Sequence, residues 1–240
     1  MLQKIFADFP VGHGSGIQPA AVSGKAEIEL PESSPFLGYI MMGKKDFVSD
    51  IVIVLSTSSN KNDWTTNGKL AKGGENYRTE FDWKQMIKNQ NSDLFGGMSH
   101  MVFLERANEK KSYTLYPDLK KYLEHDDSEN GEEDEEPEVK KTKVGEEVVS
   151  GHPCDKYEVI LTVKDNSDGR DEKQVYRGYS WEAKDLGGFV IKTEFREKDT
   201  TEIIELKNVK LGPPAVSVFE IPSDYSKANF FDLMQGHITK

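Results

Sequence analysis

Polar and apolar residues alternate with period two along much of the chain. Tyr77, Thr79, Phe81 and Trp83 alternate with Asn76, Arg78, Glu80 and Asp82, which predicts a strand with one buried and one wet face. Tyr157, Val159, Leu161 and Val163 do the same against Lys156, Glu158 and Thr162. Val175, Arg177, Tyr179 and Trp181 share one face of the next predicted strand. Phe189, Ile191, Thr193 and Phe195 share one face of the strand after it. The polar connectors between these runs are short: 107–109, 165–171, 185–188 and 198–200. Connectors of that length join antiparallel neighbours. From Lys143 to Leu211 the pattern predicts four strands in a meander, and a looser set of strands runs from Ala21 to Tyr122. Gly212, Pro213 and Pro214 end the last strand, because a proline cannot donate to a ladder.

Helical periodicity is scarce. Residues 83–91 carry Trp83, Met86 and Ile87 on one stripe. Residues 226–235 form the second candidate, with Ser226 as N-cap, Gly236 as stop, and Phe230, Phe231, Leu233 and Met234 on its apolar side. The expected fold is therefore mainly β: one domain over 1–240, built on a large curved antiparallel sheet with a few short helices over its concave face. It ends in a helical C-terminal extension at 226–240. A sheet must cover its apolar face. So few helices are thin cover for so many strands, which hints at a hollow.

Composition refines this picture in one place. The 240 residues carry 31 Lys plus Arg against 42 Asp plus Glu, a formal charge of −11. Ten of those carboxylates fall within 124–138. Without them the balance is 31 against 32, or −1. The stretch 124–138 reads as a flexible acidic loop that cannot pack. It lacks the ligand spacing of a calcium loop. A pI near 5.0 argues against a nucleic-acid partner. The longest aliphatic run, residues 51–55, is far short of the roughly 20 residues of a membrane-spanning helix. Residues 1–16 show no signal-peptide pattern. The expectation is a cytoplasmic protein or the mature form of an exported one.

The candidate chemistry is sparse. Gly12-His13-Gly14-Ser15-Gly16 fails the spacing of both a nucleophile elbow and a dinucleotide loop. His152 and Cys154 share a strand face, but no oxyanion device follows them, so Cys154 reads as a buried structural cysteine. The five histidines form no metal-binding pair. No cofactor, metal or catalytic residue is expected.

Residues 144–159, Val-Gly-Glu-Glu-Val-Val-Ser-Gly-His-Pro-Cys-Asp-Lys-Tyr-Glu-Val, resemble a stretch of an uncharacterised bacterial envelope family. That family is grouped with the periplasmic outer-membrane lipoprotein-sorting carriers of the LolA/LolB type. Residues 181–192, 205–214 and 218–225 resemble its hairpin, closing strand and terminal motif in the same order. Residues 113–122 resemble an earlier segment. The resemblance is good over 144–225, moderate over 76–123 and poor before Gly74. It implies an incomplete antiparallel β-barrel wrapped round helices, with export to the periplasm or cell envelope. It also implies a non-catalytic carrier whose hydrophobic cavity takes a lipid or the acyl chain of a lipoprotein. The carriers' lid arginine has a positional counterpart in Arg78. The expected cavity lining is Phe81, Trp83, Met86, Ile87, Met101, Phe103, Tyr179 and Trp181, although the same residue types also build ordinary cores. The alternative is an envelope protein-interaction module with a filled core and no ligand, its partner an outer-membrane or other envelope protein.

Overall fold

The computed structural model describes residues 34–57, 60–83, 96–126, 137–165, 172–197, 199–229 and 232–233. Within them lies one helix, α1 (Pro35–Met41), followed by twelve strands. These are β1 (Phe47–Thr57), β2 (Asn60–Gly73), β3 (Asn76–Asp82), β4 (His100–Arg106), β5 (Lys111–Tyr116) and β6 (Lys121–Asp126). Then come β7 (Glu138–Val149), β8 (His152–Asp165), β9 (Glu172–Ala183), β10 (Phe189–Glu197), β11 (Thr200–Leu211) and β12 (Ser226–Lys227). No helix among the described residues is long and apolar enough to cross a membrane.

All twelve strands form one sheet, in the order β12-β6-β5-β4-β3-β2-β1-β11-β10-β9-β8-β7. Two meanders, β1 to β6 and β7 to β11, are joined side by side where β1 pairs antiparallel with β11. The second meander has five strands rather than the four expected, because the Ser150-Gly151 turn folds residues 138–149 back onto β8. Both turn residues take positive φ, 49° and 86°, as a tight hairpin turn demands.

The sheet cannot be flat. Ten inter-strand steps of about 4.8 Å would place β6 and β7 about 48 Å apart. The chain from Asp126 to Glu138 reaches only about 43 Å when fully extended. The two strands also run in the same direction, so the end of β6 and the start of β7 lie at opposite ends of the strands. Only a bent, open sheet satisfies this connection.

The inner side of the bend is identified by its packing. Phe47, Ile51, Ile53 and Leu55 of β1 are buried on one side and continue across the seam into Ile204 and Leu206 of β11. Leu37, Ile40 and Met41 of α1 join that cluster, and Phe36 packs with Val159, Leu161 and Phe195. Helix α1 begins at Ser34, whose side chain accepts from Leu37 N–H at 3.1 Å, with Pro35 in the first turn.

The other side is covered over β2 to β5 by the tail after β11. Phe219 and its neighbours pack on Ala71, Val102, Leu104, Tyr113 and Leu115. Arg106 Nε donates to Phe219 O at 2.8 Å, and Arg78 donates to Val218 O at 3.3 Å. The tail then adds β12 parallel to β6. Ser226 is thus a strand residue and not an N-cap. The cap lies three residues later, where Asp232 N–H donates to Asn229 Oδ1 at 2.9 Å and Asn229 N–H donates back to Asp232 Oδ2 at 3.1 Å. The acidic stretch also divides. Glu124 is a β6 residue held by Lys111 and Lys227 at 2.7 and 3.0 Å, and Glu138 opens β7. Residues 127–136 lie outside the described residues.

Candidate functional site

The register decides which expected lining residues meet. Phe81 pairs with Met101 across β3 and β4 and with Gly68 of β2, which pairs with Ile51. Phe103 lies opposite Thr79, two residues from Phe81 on the same side. All of these face the inner side. Trp83 continues the row at the end of β3, its ring centroid 5.2 Å from that of Phe81. Its backbone N–H donates to Ser99 O at 2.7 Å. Phe81, Trp83 and Met101 are buried, while Phe103 is half-buried against them. Met86 and Ile87 lie outside the described residues.

Tyr179 and Trp181 do not join this row. Ile53 pairs with Ile204, Ile204 with Thr193, and Thr193 with Ser180. Ser180 is therefore inner, and its neighbours on β9 point outward. The two rings pack on each other there, their centroids 6.3 Å apart. Lys156 and Lys192 place ammonium groups 4.7 and 4.4 Å from the Trp181 ring, and the Trp181 N–H donates to Glu147 Oε2 at 2.9 Å. The β9 pattern misled because its large residues, Val175, Arg177, Tyr179 and Trp181, occupy the outer face. Its inner face carries Tyr176 and Glu182 on either side of Gly178 and Ser180, the small pair beneath α1. Small residues are needed there: a Cβ on Gly178 would sit 2.8 Å from the Phe36 ring and 2.3 Å from Glu194 O. Arg78 likewise faces outward, where it holds the tail and Glu80 (3.1 Å) rather than a helix.

The inner side divides into two regions. Helix α1 covers β9 and β10, with Phe36 against Gly178 and Phe195. Over β2 to β6, Phe103 and Leu123 are half-buried on either side of Thr114, Tyr77 lies diagonal to Phe103, and Trp64 lies at the far end of β2 opposite Leu55. Two charged side chains sit buried at the ends of α1. Glu202 of β11 accepts from Ser34 Oγ at 2.5 Å, and burial pushes its carboxyl up to about 7 against the Ser34 hydrogen bond. Lys72 of β2 donates to Met41 O at 2.8 Å and Gly43 O at 2.5 Å, closing the helix C-terminus. Burial lowers its pKa, opposed by Asp46. The sequence reading missed α1, Glu202 and Lys72. The Ser34-Pro35 start and the spacing of Phe36, Leu37, Ile40 and Met41 were the available signal.

The thiol and imidazole at the start of β8 do not form a catalytic pair. Cys154 Sγ donates to His152 O at 3.3 Å, and His152 Nδ1 lies 2.8 Å from Asp185 Oδ2. Burial raises the thiol pKa, away from a reactive thiolate. Among the described residues no group of three or more His, Cys, Asp or Glu side chains could hold a metal ion.

No family model matches the chain, and no curated protein matches it. Solved structures similar to it include LprF from Mycobacterium bovis, at 13% identity over 80% of this chain and 98% of that one, with a TM-score of 0.40. A LolA superfamily protein from Nitrosomonas europaea is 11% identical over 76% of this chain and 96% of its own, TM-score 0.35. An outer membrane lipoprotein-sorting protein domain from Vibrio parahaemolyticus is 13% identical over 78% and 94%, TM-score 0.33.

Proposed function

We propose that the chain is a non-catalytic carrier of lipid or lipoprotein acyl chains, working in the periplasm or cell envelope. The observation that carries this reading is the set of half-buried apolar side chains, Phe103 and Leu123 among them, on the inner side of a bent sheet, with α1 over only part of that side. Carrying an acyl chain through water means hiding methylenes, each worth about 0.8 kcal/mol. A curved apolar wall supplies that without covalent chemistry. Phe81, Trp83, Met101 and Phe103 are the proposed wall, with Leu123 beside them. Met86 and Ile87 enter the proposal from the sequence pattern. Tyr179 and Trp181 belong to the outer face and are left out of the wall.

A fluorescent long-chain fatty acid titrated into the protein tests this, together with native mass spectrometry for co-purifying lipid. Saturable uptake is expected, with Phe103→Asp weakening it by about tenfold or more, since a charge facing the chain must be desolvated. Leu123→Asp serves where Phe103→Asp disturbs folding. Absence of saturable uptake, or uptake indifferent to both substitutions, overturns the reading.

A further inference from the structure

At one end of the sheet, β12 closes the β6 edge. At the other, β7 is the last strand among the described residues, twelve residues long and largely exposed. Long free edges template further strands. Lysines and bulges normally block such pairing, and β7 has both, with a register break between Lys143 and Gly145. Its charges, however, are arranged in two blocks. Lys140 and Lys141 precede the break, and Glu146 and Glu147 follow it.

A second β7, laid antiparallel about a twofold axis between residues 143 and 144, sets Lys141 opposite Glu146 and Lys140 opposite Glu147. Val139 then falls opposite Val148, which is 74% exposed. Each pair occurs twice by symmetry. The bulge makes this pairing consistent with the side-chain faces. Lys141 shares the inner side with Val159 and Gly178, and Glu146 shares it with Asp155, because the extra residue shifts the alternation between them. Lys140 and Glu147 correspondingly share the outer side. Sliding the partner by two residues one way brings Glu138 opposite Glu147. Sliding it the other way leaves only Lys143 opposite Glu146. The charges therefore select one register of self-pairing rather than forbidding pairing.

We propose that β7 is a homodimer interface, at which two copies of this chain join edge to edge into one continuous sheet. This interface is independent of acyl binding. It makes the symmetric, self-complementary contact of a twofold dimer.

Sedimentation velocity of the full chain across the micromolar range tests it. A concentration-dependent dimer is expected. The acidic variant K140E/K141E and the basic variant E146K/E147K should each weaken it by about tenfold or more, since like charges then face each other. An equimolar mixture of the two variants should restore a heterodimer, because every acidic position then meets a basic one. All four charges also make ion pairs within the chain, Lys140 with Glu138, Lys141 with Glu182, Glu146 with Lys143 and Lys184, and Glu147 with Lys156. Val148→Asp, at an exposed position, provides a second probe if either double variant fails to fold, and it too should shift the chain toward monomer. A wild-type chain that is monomeric throughout overturns the proposal. So does a dimer that ignores Val148→Asp or the charge reversals, or variants that fail to recombine.

Discussion

Glu202 is the side chain whose chemistry most depends on its surroundings. It sits on the inner side of β11 with Ser34 Oγ as its hydrogen-bond partner, and burial lifts its pKa from 4.5 to about 7. The unfolded chain releases this proton near pH 4.5, whereas the folded chain holds it to about pH 7. The stability linked to that proton is fully present below pH 4.5 and is lost as pH climbs through about 7. The difference amounts to about 3 kcal/mol for this one group. Glu202→Gln, neutral at every pH, should abolish that part of the pH dependence and stabilise the protein above pH 7. Urea midpoints of wild type and variant at pH 5 and pH 8 check this. A variant that tracks the wild type at both values removes Glu202 as the cause. Lys72 makes the matching contact at the other end of α1. Lys72→Met leaves the last helix carbonyl, Met41 O, and Gly43 O just beyond the helix without that donor and should cost about 1–3 kcal/mol by the same measurement.

Helix α1 has seven residues, too few to persist by its own hydrogen bonds. It is held by what the sheet offers: Glu202 at its first turn, Lys72 at its last, and Phe36 against the bare backbone of Gly178. The Lys72 ammonium also complements the helix dipole at the C-terminal end. Gly178→Ala should therefore act on the helix and on the strand pair together. A methyl group there would sit 2.3 Å from the Glu194 carbonyl oxygen of β10 and 2.8 Å from the Phe36 ring, at a cost of about 1–3 kcal/mol. Amide exchange should show early loss of protection both at Met42, whose N–H bonds Gly38 O, and where β9 pairs with β10. Protection unchanged in either element would contradict this. The same region explains what was legible in the sequence. Strands whose large residues face inward, such as β3 with Phe81, were readable by alternation alone. β9 was readable as a strand but not for its direction, because the inner face needs small residues where α1 docks. The helix itself was lost within a run of predicted strands, since its stabilising partners, Lys72 and Glu202, are remote in sequence. Of the expected wall, the β3 and β4 residues come together on one face and the β9 pair does not, because alternation gives the period and not the side.

The two meanders meet only through the pairing of β1 with β11, so the whole sheet depends on one seam. Ile53 lies opposite Ile204 there, 151 positions away along the chain (204 minus 53), and both are buried. Neither meander can close its inner side without the other, since the central cluster draws residues from both. The seam should therefore make unfolding a single cooperative event, and a slow-forming one, because its pairing is the most non-local among the described strands. Ile204→Ala should cost about 2–5 kcal/mol as a buried truncation. Near-ultraviolet and far-ultraviolet circular dichroism should still lose signal together, because tryptophans stand on both sides of the seam, Trp64 and Trp83 on one and Trp181 on the other. Adding Ile53→Ala to it should cost less than the two single substitutions summed, by about 0.5–1 kcal/mol, as expected of directly facing strand partners. Two separate transitions in Ile204→Ala would mean that each meander holds its own core, and the bent sheet would then be two units leaning on a weak join. Strict additivity in the double variant would place the coupling elsewhere than this pair.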